Sequence, residues 1–166
     1  MLRTYLQLVR PANVVTALTD VLAGAALVGG LAQGWFPVLG WLCLSTACLY
    51  AGGIVFNDYF DAELDAVERP ERAIPSGRVS LTAALVFGCV LFALGVLAAF
   101  LVSPLSGYLA LGIVGLCLLY DKFAKHNALF GPLNMGLCRG VNLLLGMSLV
   151  PTALFENYHL CLFPVL

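Results

Sequence analysis

The chain has 166 residues, 61% of them hydrophobic and only 10% charged, with a mean hydropathy of +0.99. A soluble domain carries about 25% charged residues, so this composition argues against a water-solvated globule. The formal net charge of −1 and a pI near 6.0 offer no basic surface to nucleic acid.

A bilayer core of about 30 Å needs about 20 helical residues to cross. Five apolar stretches reach or approach that length: Val14–Leu31, Phe36–Phe56, Leu81–Val102, Leu105–Tyr120 and Pro132–Val150. A sixth apolar run begins near Tyr158 and meets the last residue, Leu166, too soon to cross. The expected fold is all-α, a multi-span transmembrane bundle of five complete spans and a truncated sixth, with lipid as its solvent. The first stretch follows basic residues and contains Ala23-Gly24-Ala25, which resembles a signal-peptide cleavage site. The spans repeated after it favour a retained helix. Gly24, Gly29-Gly30, Gly52-Gly53 and Gly112/Gly115 are candidates for close helix packing in lipid. Any single one of them reads more simply as a small residue in an apolar helix.

The loops divide the basic residues unevenly. Arg3 and Arg10 precede the first span, Arg69, Arg72 and Arg78 follow the second, and Lys122 and Lys125 follow the fourth. The loops Ala32–Trp35 and Ser103–Pro104 carry no charge. Seven of the eight basic residues therefore share one side, which the positive-inside rule makes cytoplasmic. The N-terminus is expected on that side. The six cysteines form no Cys-x-x-Cys pair and read as small packing hydrophobes.

The densest polar pattern follows the second span directly: Asn57-Asp58-Tyr59-Phe60-Asp61-Ala62-Glu63-Leu64-Asp65. On one continuous helix Asp58, Asp61 and Asp65 would fall within an arc of roughly 60°. Asn57 would join them and Glu63 would point away. Like charges so close repel unless a cation lies among them. Magnesium takes oxygen ligands, commonly one or two carboxylates with substrate phosphates. The pattern therefore fits a Mg²⁺ site that grips a diphosphate, against the plainer reading of a solvated acidic helix end.

In the loop after it, Pro75-Ser76-Gly77 reads as a turn and Ser80 as the cap of the third span. Arg72 and Arg78 could fork onto phosphate oxygens, or only set topology. In the next basic loop, Lys125 could touch a diphosphate, while His126 reads more simply as an interface residue. Arg139 lies inside the fifth span, where a charge is expensive and marks function. With Asn134 and Asn142 it could line a polar cavity. Asp20 in the first span is its natural partner in a purely structural ion pair. Asn13 could cap the first span or reach the cavity.

These residues together resemble the UbiA superfamily of intramembrane prenyltransferases. The resemblance runs from Arg10-Pro11 to at least Gly146. Asn57-Asp58-x-x-Asp61-x-x-x-Asp65 is similar to the family's first Asp-rich motif, and Arg72 to Ser80 to the loop after it. Tyr120 to Lys125 is similar to the family's Tyr…Lys-Arg loop, with His126 in place of Arg. Gly131-Pro132-Leu133-Asn134-Met135-Gly136 through Gly146 resembles the fifth helix.

The resemblance implies an enzyme that joins the isoprenyl group of a prenyl diphosphate to a membrane-soluble aromatic or lipid acceptor. It implies Mg²⁺ held by Asn57, Asp58, Asp61 and Asp65, with Asp58 and Asp61 essential and Asp65 more tolerant of change. Arg72, Arg78 and Lys125 would meet the diphosphate. Arg139 and Asn13 are further substrate-binding candidates from their place in and beside the apolar helices, not from the resemblance. Location in the cell membrane or an organelle inner membrane follows. The family's second Asp-x-x-x-Asp motif has no match after Asp121, and the last acid is Glu156. Residues 1–166 therefore resemble one UbiA-like domain truncated at the C-terminus, whose missing half would complete the metal site. The alternatives are a relative that binds or helps transport a prenyl lipid without catalysis, and a transporter built on Asp20 and Arg139.

Overall fold

A computed structural model describes residues 2–32, 34–124 and 127–162 of the chain. Lys125 and His126 lie outside the described residues. Among the described residues every regular element is helical. The order is α1 (Leu2–Val9), α2 (Pro11–Leu27), α3 (Phe36–Phe60), α4 (Ala62–Glu68), α5 (Leu81–Phe100), α6 (Pro104–Leu119), α7 (Phe130–Met147) and α8 (Pro151–Asn157). A π-helical turn, Tyr120–Ala124, prolongs α6, and a 3₁₀ turn, Tyr158–Leu162, ends the described chain.

The helix starts follow from local chemistry. Proline occupies the first turn of α2, α3, α6 and α8, where its missing N–H would be unsatisfied anyway. Ser80 caps α5 as expected: the Ala83 N–H donates to its Oγ at 3.2 Å. Ser103 does the same for α6, accepting from the Ser106 N–H at 3.0 Å. The Pro75-Ser76-Gly77 turn forms too. Gly77 holds φ +74° and its N–H donates to the Ile74 carbonyl at 3.0 Å.

Among the described residues three helices are long and apolar enough to cross a membrane: Phe36–Phe60, Leu81–Phe100 and Pro104–Phe123. The last is longer than the sequence indicates, because the π turn continues it. α7, expected as a fifth span, is not one of them, because Arg139, Asn134 and Asn142 interrupt its apolar run. α2 is apolar but has only 17 residues. On α5 the large side chains Val86, Val90, Leu94 and Leu97 are exposed, while Ala84, Gly88, Phe92 and Gly95 are buried. Small residues inward and branched ones outward is the arrangement expected in lipid, where close backbone approach rather than water exclusion holds helices together.

α3 is the central helix, packed most extensively on α5, and α2 pairs with α7. Along the α3–α5 seam, Gly52 makes room for Phe92 and Gly88 for Phe56. The two rings stack with centroids 4.9 Å apart. The α2–α7 crossing is tighter. A Cβ on Gly24 would strike the Leu143 carbonyl, and one on Gly146 the Val21 carbonyl. Gly112 and Gly115, also expected at helix contacts, have nothing within 4 Å. Among the described residues that side of α6 meets no neighbour at these two positions.

Backbone cannot move aside as a side chain can. Gly146→Ala is therefore expected to destabilise by about 1–3 kcal/mol, whereas Gly115→Ala leaves stability near wild type. Thermal unfolding of the two variants in the same detergent checks this contrast.

Candidate active site

α3 ends at Phe60, so Asp58, Asp61 and Asp65 do not share one unbroken helix as the sequence reading expects. Asp61 is the junction residue, with φ −92° and ψ 4°. The helical rhythm still survives the break. The Asp61 N–H donates to the Asn57 carbonyl at 3.0 Å, and the Asp65 N–H to the Asp61 carbonyl at 2.8 Å. Asp58 and Asp65 consequently stay on one side, both buried, at 5% and 4% exposure.

Arginine, not a bare carboxylate row, organises this end. Arg72 Nη1 lies 2.6 Å from Asp65 Oδ2 and 3.3 Å from Asp58 Oδ1. Arg10 Nη2 lies 2.5 Å from the same Asp58 oxygen. Arg10 occupies the bend between α1 and α2 in a left-handed conformation, φ 47° and ψ 68°. A non-glycine residue is rarely found there and carries strain of about 1–3 kcal/mol; the ion pair to Asp58 holds it.

Among the described residues no group of three or more His, Cys, Asp or Glu is assembled to hold a metal. The guanidinium of Arg72 lies between the carboxylates that would do so. The residues expected to hold a metal, Asp58, Asp61, Asp65 and Asn57, offer oxygens, which is the ligand chemistry magnesium takes. Glu63 is exposed, as expected.

Asn57 turns to a residue that the sequence reading leaves out of the site. Its Nδ2 donates to Asp121 Oδ1 at 3.1 Å. Asp121 is buried in the π turn after α6. An acid directly after an apolar span was the available signal; the π turn that aims it was not legible. π turns recur at functional sites.

A cavity of about 650 Å³ opens beside this cluster. Arg10, Asn57, Tyr120 and Asp121 line it, as do Leu49, Ile54, Ile113 and Cys117. It continues along α3 to Tyr50 and Thr46, and to Asp20, Arg139 and Asn142 from α2 and α7. Asn57 and Thr46 are eleven residues apart on α3, about 16 Å along its axis.

The remaining sequence candidates are dispersed. Arg139 pairs with Asp20 through two hydrogen bonds, Nε to Oδ2 at 3.2 Å and Nη2 to Oδ1 at 2.9 Å. Asn142 donates to the Ala17 carbonyl at 2.8 Å and accepts from Thr46 Oγ1, which ties α7 to both α2 and α3. Arg78 lies away from the carboxylates. It bonds Ser76 Oγ at 2.9 Å, Gln7 Oε1 at 3.1 Å and the Glu71 carbonyl at 2.5 Å, fastening the loop to α1. Asn13 is exposed, and Arg10 rather than Asn13 is the residue that precedes α2.

A model of the UbiA prenyltransferase family matches residues 17–165. The digeranylgeranylglyceryl phosphate synthase of Methanococcoides burtonii is 35% identical over 152 residues, covering 87% of this chain and 54% of that protein. The protein of the same name from Ignicoccus hospitalis is 42% identical over 146 residues, covering 87% and 46%. The chain thus spans about half the length of the curated relatives it matches.

A solved structure of digeranylgeranylglyceryl phosphate synthase superimposes with a TM-score of 0.80 at 27% identity, over 87% of this chain and 52% of that one. A UbiA homolog from Archaeoglobus fulgidus, bound to GPP and Mg²⁺, superimposes with a TM-score of 0.72 at 19% identity, over 95% and 60%. The second likeness speaks to fold alone. On the matched residues, this chain belongs to the UbiA prenyltransferase family.

Proposed function

We propose that the chain forms the diphosphate-gripping half of a Mg²⁺-dependent integral membrane prenyltransferase. It would transfer an isoprenyl group from a prenyl diphosphate to a membrane-soluble acceptor. One observation carries the reading: Asp58 and Asp65 meet Arg10 and Arg72 where α3 ends, beside a largely apolar cavity. The relatives' name points to an acceptor built on glyceryl phosphate. Five spans with the N-terminus and the Asp cluster on the cytoplasmic side fit the basic loops. A further segment, matching the length that the relatives carry beyond this chain, would complete the site.

The residues divide the work. Asn57, Asp58, Asp61 and Asp65 would hold Mg²⁺, which supplies charge stabilisation at the leaving diphosphate. Arg10 already lies against Asp58, and Arg72 against Asp58 and Asp65, so both are placed to exchange these carboxylates for diphosphate oxygens. Lys125 would add a charge from the neighbouring loop. Leu49, Ile54 and Ile113 line the cavity, and would keep water from the allylic carbon as positive charge develops on it.

Membranes holding the full-length protein are expected to release diphosphate from labelled prenyl diphosphates only with Mg²⁺ present. Asp58→Ala should lower that release by about 100-fold or more. Saturable prenyl-lipid binding with no release from any acceptor combination would move the assignment to the lipid-binding alternative.

Burial also sets an order among the aspartates. Asp65 is buried against Arg72, and Asp61 is only half-buried at the junction. Removing one partner of a buried pair costs about 3 kcal/mol, less where the arginine reaches solvent. Asp65→Ala is thus expected to lower the unfolding temperature more than Asp61→Ala, without any metal or substrate added. The tolerance expected of Asp65 in turnover is a separate quantity from this effect on stability.

A further inference from the structure

The cavity has a second polar pole that diphosphate binding does not use. Asp20 is the tenth of the 17 residues of α2, and Arg139 the tenth of the 18 of α7. Both therefore lie near mid-helix. Within the apolar bundle a charge away from the helix ends is expensive unless it is paired or serves a ligand. A purely structural pair would be packed on all sides, as Asp20 is at 11% side-chain exposure. Arg139 is not: its side chain is 62% exposed, and it lines the cavity.

The hydrogen bonds show what is left over. Guanidinium has five N–H donors. Asp20 takes two of them, one on Nε and one on Nη2. No other hydrogen bond to Arg139 forms among the described residues. Nη1 and the outer edge of the fork remain for a ligand. That edge presents parallel N–H groups, which suit two adjacent acceptor oxygens. Asp20 fixes the fork in one orientation, and the α2–α7 crossing at Gly24 and Gly146 keeps the two helices in backbone contact. Tyr50 on the facing helix lines the same stretch of cavity.

We propose that Arg139, oriented by Asp20, binds the oxygen-rich head of the acceptor lipid. The reading rests on the prenyltransferase assignment and sharpens it. The diphosphate is gripped where α3 ends, and the acceptor head is anchored separately, deeper along the cavity. Arg139 is a substrate-binding residue and Asp20 its positioning residue. The chemistry recognised is a pair of adjacent acceptor oxygens, supplied either by glyceryl hydroxyls or by a phosphate monoester.

The test measures binding to the detergent-solubilised full chain with three probes: monooleoylglycerol, lysophosphatidate, and inorganic pyrophosphate with Mg²⁺. At least one lipid should bind saturably, and Arg139→Gln should weaken it about tenfold or more while leaving pyrophosphate affinity unchanged. Loss confined to lysophosphatidate identifies the phosphate oxygens as what the fork reads; equal loss for both lipids identifies the glyceryl hydroxyls. The double variant Asp20→Arg with Arg139→Asp restores the ion pair with its polarity reversed. It should recover any unfolding temperature lost in Arg139→Gln without recovering lipid affinity. Lipid affinity unchanged in Arg139→Gln, recovered together with stability in the swap, or absent for both lipids would overturn the proposal. Absence of pyrophosphate binding alone would count against the diphosphate site and leave the lipid arms to decide this one.

Discussion

One oxygen of Asp58 joins three separate parts of the chain. It accepts from Arg10, at the bend between α1 and α2, and from Arg72, in the loop before α5. Arg72 then reaches Asp65 on α4. A buried carboxylate in a membrane protein needs such partners, since its desolvation is otherwise uncompensated. That requirement explains several features at once: the left-handed backbone at Arg10, the folding back of the Arg72 loop, and the short helix α4 that follows the break at Asp61.

The same requirement shapes the rest of the interior. Among the described residues, the buried amide of Asn142 is bonded to α2 and α3, and the Ser106 and Ser148 hydroxyls meet at 2.7 Å between α6 and the end of α7. In lipid, polar pairs and small-residue crossings take over the role that apolar burial has in water. The α2–α7 contact shows both. Gly24 and Gly146 bring the backbones together, and Asp20 and Arg139 bridge the same two helices. A cavity with polar poles and apolar walls between them is the result, suited to a ligand that is itself part polar and part hydrocarbon.

The arginine–carboxylate cluster also bears on how a magnesium site is recognised. A row of aspartates reads as a metal site because like charges need a cation. Here the cations are guanidinium groups from elsewhere in the chain. The two readings are compatible, because a diphosphate with its metal offers each side a new partner: oxygens for the arginines and a divalent ion for the aspartates.

Much of this was legible in the order of residues. Hydropathy placed five helices to within a few residues, and three of them, α3, α5 and α6 with its π turn, are long and apolar enough to span, because a span needs a continuous run of about 20 apolar residues. Ser80 and Gly77 announced a cap and a turn because those features depend on one side chain and one φ angle. Asn57 to Asp65 marked the candidate site because its polarity interrupts an apolar context. Tertiary structure alone decided which charges meet. Arg10 is 48 residues from Asp58 and Asp20 is 119 from Arg139, and no local spacing encodes such distances. It decided that Asp121 joins the site while Arg78 leaves it for Gln7, and that Gly146 rather than Gly115 carries a helix crossing. Local physics sets which residues are polar, flexible or small; only the packing of one helix on another sets which of them touch.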